Sequence, residues 1–170
     1  IASILSFLIY LLRGVFAFIF FFMYMDSSSK DELVENYELN KTAILDLKEG
    51  YDRIVPEGFK IYIEFKNKNH IDLWVYENSD SLDKKMVCLF QQWGINPFDY
   101  EMEPMTKYDS SEYAPKTKDL ELVKAKLQWT DSTFISVKEY LDKANCISIK
   151  NGEPTDIGFA RSGMGKYHYH

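Results

Sequence analysis

With 170 residues, 46% of them hydrophobic and 27% charged, the chain has the size and make-up of one ordinary folded domain with a short extra segment. Its 12 Phe, 12 Tyr and 3 Trp exclude a disordered chain, since that much aromatic surface drives a packed core. Twenty basic against 26 acidic side chains leave a net charge of −6 with no basic stripe, which excludes an electrostatic footprint for nucleic acid.

The chain opens on a continuous apolar stretch over residues 1–25, in which Arg13 is the only charge. As a helix rising ~1.5 Å per residue it would be roughly 37 Å long, more than the ~30 Å of a bilayer's hydrocarbon layer. A central Arg costs about 2.5–3.5 kcal/mol, against a gain of roughly 4–9 kcal/mol summed over the Leu, Ile, Phe and Val side chains. A transmembrane or signal-anchor helix is therefore expected over residues 1–25. The MYMDSSS sequence that follows lacks a small-x-small cleavage site, which argues against a removed signal peptide. The flank DSSSKDE is net acidic with a single Lys30, unlike a cytoplasmic flank, and Arg13 lies toward the N-terminal side, so the soluble domain is expected outside the cytoplasm.

Residues 26–39 read as a polar tether, and a single domain is expected over residues 40–170. Asn40 suits a helix N-cap, and Ile44, Leu47, Tyr51 and Ile54 recur at helical spacing until Pro56-Glu57-Gly58. Asn40-Lys41-Thr42 also matches an N-glycosylation acceptor. Residues 59–65 and 70–76 are rich in β-formers on either side of a turn, with Phe59, Ile61, Ile63 and Phe65 on one face and Ile71, Leu73 and Val75 on one face of the partner. Residues 86–95 fit a third strand, continuing a meander, or a short helix ended by Gly94; the strand is preferred.

An irregular stretch follows over residues 96–118, then two helices, one carrying Leu120, Val123 and Leu127, the other started by Thr130 or Asp131 and carrying Phe134, Val137 and Leu141. Residues 146–150 read as a strand, Asn151-Gly152 as a tight turn, and residues 155–160 as its return. The expected fold class is α+β: an antiparallel sheet, meander plus C-terminal hairpin, with about three helices beside the anchor.

Functional signals are sparse. The stretch over residues 96–118 interleaves aromatics with acids, and Tyr100, Tyr108, Asp109, Glu112 and Tyr113 are the candidate contacts for a basic protein partner; the same rings would serve equally to fasten the loop to the core. Arg161, Ser162, Gly163, Gly165 and Lys166 combine glycines with flanking charge as an anion loop would, although a turn between strands explains them as well. His168 and His170 would share one side of a strand, but no further ligands are evident, so no metal or other cofactor is expected. Cys88 and Cys146 lack zinc spacing and are either bridged or buried thiols, and no local signature makes Cys146 a nucleophile. These features favour a membrane-anchored binding or interaction module. An immunity or inhibitor protein neutralising a basic partner, and a hydrolase whose site is dispersed along the chain, are the alternatives.

Overall fold

The computed structural model describes residues 10, 12–16, 30–78, 85–101, 115–162 and 165–169, with 161, 162, 165 and 166 described by their backbone. In chain order one long helix is followed by three strands, as α1 (Lys30–Ile54), β1 (Phe59–Phe65), β2 (Ile71–Asn78) and β3 (Met86–Ile95). There follow α2 (Leu120–Leu127), α3 (Asp131–Lys143), β4 (Ser148–Lys150), β5 (Asp156–Ser162) and β6 (Gly165–Tyr169). The fold is α+β.

The strands form one six-stranded sheet in the order β3-β2-β1-β4-β5-β6, antiparallel at every pairing. Its middle seam joins the meander to the C-terminal hairpin through Tyr62↔Lys150, Ile63↔Ile149 and Glu64↔Ser148. Alternation sends Ile61, Ile63, Ile71, Leu73 and Val75 to one face, each fully buried, where they meet Leu47 and Tyr51 of α1, Val123 of α2 and Phe134 and Val137 of α3 in a single core. Each such side chain contributes about 1.5–3 kcal/mol by leaving water. The result is two layers, with the helices on one face of the sheet.

Residues 86–95 are a strand, and the reason for their mixed pattern is visible. The β2–β3 register shifts between Val75 and Tyr76, so the neighbours Leu89 and Phe90 are both buried, which a regular strand forbids and a bulge permits.

Two expectations need correction. The first helix begins at Lys30, ten residues before Asn40, so residues 30–39 of the expected tether are helical. Asn40 does leave helical geometry (φ −117°, ψ 15°), but as a kink between two helical halves, and its Nδ2 donates to Asn36 Oδ1 at 2.8 Å. That bond engages one of the two side-chain amide hydrogens of the glycosylation motif's Asn40.

The C-terminal hairpin pairs as expected, with Ser148↔Gly158, Ile149↔Ile157 and Lys150↔Asp156, but its connection runs over five residues, 151–155, and is not a tight two-residue turn. Asn151 is engaged with β1. Its Oδ1 accepts from Ile61 N (2.6 Å), its Nδ2 donates to Phe59 O (3.0 Å) and its backbone N–H donates to Ile61 O (3.3 Å), so the chain can turn back only after it.

The expected membrane-spanning helix has no support among the described residues, where no helix is long and apolar enough to cross a membrane. Of residues 1–25 only residue 10 and residues 12–16, which are helical, are described.

Candidate binding surface

Of the acidic, tyrosine-rich candidates, Tyr108, Asp109, Glu112 and Tyr113 lie outside the described residues. Tyr100 is described, and it fastens its segment to the domain: the hydroxyl donates to Lys118 O at 2.6 Å and the ring meets Phe90 edge-on at 6.3 Å. Gly163 lies outside the described residues, while the backbones of Arg161, Ser162, Gly165 and Lys166 are ladder members, paired Arg161↔Lys166 and Ser162↔Gly165. That segment is a β-hairpin end.

His168 pairs through Nδ1 with Asp156 on the neighbouring strand, and His170 lies outside the described residues. No three His, Cys, Asp or Glu among the described residues are grouped to hold a metal. Cys88 and Cys146 are both free thiols, on β3 and just before β4, with β2 and β1 between those two strands. Burial pushes the Cys146 thiol up to about 12, so it is protonated at neutral pH and unsuited to nucleophilic attack.

The side chains that sequence reasoning missed occupy the sheet face opposite the helices. Tyr62, Glu64, Asp72, Trp74 and Ser148 alternate with core residues and so point to that side. Glu64 and Asp72 stand directly opposite each other across β1 and β2, both buried, a like-charge pairing that is destabilising on its own. Lys66 offsets it. Its Nζ lies 3.1 Å from Glu64 Oε1 and also pairs with Asp72 Oδ2. The Tyr62 hydroxyl donates to Glu64 Oε2, and the Tyr62 phenol is raised well above its ordinary range, first by burial and then by the hydrogen bond and charge of Glu64.

Asp72 also reaches β3. Its Oδ1 accepts from Gly94 N at 2.9 Å, and Gly94 has φ +62°, a conformation that glycine adopts without steric cost. This contact fixes the end of β3 and with it Trp93, the preceding residue. Trp93 is 62% exposed and rests edge-on against Trp74 at 6.1 Å, which in turn lies 4.8 Å from Tyr62. The Nε1 of Trp74 is buried with no hydrogen-bond partner among the described residues. An exposed indole is thus backed by a row of two further rings, which stand over a charge network that holds their strands in register.

The sequence signal for this face is the even-numbered series Tyr62, Glu64, Asp72 and Trp74. It marks a second face but not who stands opposite whom, and only the register brings the two carboxylates and the three rings together. No family model, curated protein or solved structure matches this chain.

Proposed function

We propose that the chain is a membrane-tethered binding module, with its domain outside the cytoplasm, that grips a protein partner on the aromatic face of its sheet. The observation carrying this reading is Trp93. Leaving a Trp mostly in water while backing it with Trp74 and Tyr62 is unfavourable for an isolated domain, and large rigid aromatics held in place by neighbours are the residues that dominate binding energy at interfaces. The tether is supported by the length and apolarity of residues 1–25. A basic partner suits the net charge of −6, because a basic contact face is drawn in by long-range attraction.

The test is capture of partners by the full chain from membranes of the source cells, comparing wild type with Trp93→Ala and with Leu122→Ala, an exposed apolar residue on α2. The expected result is a partner held by wild type and Leu122→Ala and bound about 30-fold or more weakly by Trp93→Ala. Equal retention by all three overturns the assignment of Trp93 as an anchor.

A further inference from the structure

We propose that the apolar cleft between the β1–β2 turn and α3 binds a small amphiphilic carboxylate, its hydrocarbon body on Phe65, Phe98, Phe134 and Ile135 and its carboxylate at Lys68. This site lies on the helix side of the sheet, where Phe65 of β1 points, and not on the aromatic face, and it goes beyond that reading.

The cleft holds about 320 Å³, at the lower end of ligand pockets, which suits one ring with a short chain. Its floor is apolar. Phe98 stands edge-on to Phe134 at 6.5 Å, and Phe98 and Ile135 remain 39% and 49% exposed, so hydrocarbon placed between them removes from water surface that the domain leaves uncovered.

The charges around the cleft are unequal in what they can offer. Lys138 is committed, its Nζ 5.8 Å above the Phe65 ring and paired with Asp142. Lys68 has no partner among the described residues, and Asn69 beside it on the exposed turn adds an amide that can donate. Glu139, the carboxylate on the wall, also borders a neighbouring hollow that it lines with Lys143, and it disfavours an anion at its own end. An anionic head is therefore directed to Lys68.

The probe is 4-phenylbutyrate, compared with 4-phenylbutan-1-ol, which has the same body and no charge. Each is titrated into the full chain while the Ile135 methyl signal is followed by NMR. Wild type should bind the acid about tenfold more tightly than the alcohol. Lys68→Gln, on an exposed turn, should reduce that preference to about twofold or less while leaving the alcohol's affinity unchanged, and Ile135→Trp, which fills the cleft, should abolish both. No movement of the Ile135 signal at millimolar acid, or an acid preference that survives Lys68→Gln, overturns the proposal. So does unchanged binding in Ile135→Trp.

Discussion

Asn36, in the first half of α1, donates from Nδ2 to the hydroxyl of Tyr169 on β6 at 3.0 Å, and that hydroxyl donates in turn to Leu33 O at 2.8 Å. The other Nδ2 hydrogen goes to Ala144 O at 3.2 Å, while Oδ1 accepts from Asn40 and Asn145 at 2.8 and 2.9 Å. A single buried amide therefore uses all four of its hydrogen-bonding positions to hold the helix start, the end of α3 and the last strand together.

Replacing Asn36 with Leu strands those partners in a buried place. We expect Asn36→Leu to cost about 2–4 kcal/mol, more than one deleted hydrogen bond, because the groups left behind lose both partner and water. Urea denaturation measures the loss, and hydrogen exchange should show residues 30–40 opening before the sheet. A loss under about 1 kcal/mol would mean that these groups find water or other partners.

Gly50 tests how closely α1 and α3 approach. A Cβ there would lie 2.8 Å from Cζ of the Tyr140 ring, so Gly50→Ala should destabilise by about 1–3 kcal/mol although Ala is the better helix former by about 1 kcal/mol. In a Tyr140→Ala background the obstruction is gone, and the same substitution should become neutral or stabilising. A double-mutant cycle with no coupling would contradict the contact.

Glu77 on β2 joins Lys116, which precedes α2, and Lys126 on α2, at 2.8 Å in the second pair. Burial alone would raise its carboxyl, but the hydrogen bonds and charges of the two lysines prevail and hold it below the ordinary range. A carboxyl lower in the folded than in the unfolded state adds stability above its unfolded pKa of about 4.3, and this is lost as pH falls through the folded value. Glu77→Gln should therefore weaken the protein at pH 7 and differ little from wild type at the acid end. Urea midpoints across that range decide it, and a penalty that persists undiminished in acid would assign Glu77 a role other than charge.

Cys146 is buried and its thiol is raised to about 12, whereas Cys88 is half-buried and raised by burial to a lesser degree. At pH 8 a thiol reagent should modify Cys88 first and reach Cys146 only through unfolding, so that mild urea accelerates the second reaction. Labelling followed by peptide mass analysis resolves the two. Prompt labelling of Cys146 in the folded protein would contradict its burial.

The strand faces, α2 and α3 were legible because their apolar residues repeat at the period of each element, as Ile61, Ile63 and Phe65 do on β1 and Val123 and Leu127 on α2. The first half of α1 was not. Its residues are mostly polar, and it is held by Asn36 reaching a carbonyl 108 positions away, which no local propensity encodes. The aromatic face was hidden for a related reason: Glu64, Asp72 and Trp93 become neighbours only through pairing register and the left-handed Gly94.

The start of α1 at Lys30 also sets a distance. If residues 1–25 are the bilayer anchor proposed above, only residues 26–29 lie between it and a helix clipped to its domain, and four residues of any chain span at most about 14 Å. So short a leash would keep the domain within a thin shell above the lipid, at nearly constant height. Encounter would then be a search in two dimensions, in which a partner anchored in the same bilayer would be present at a far higher effective concentration than the same partner free in solution.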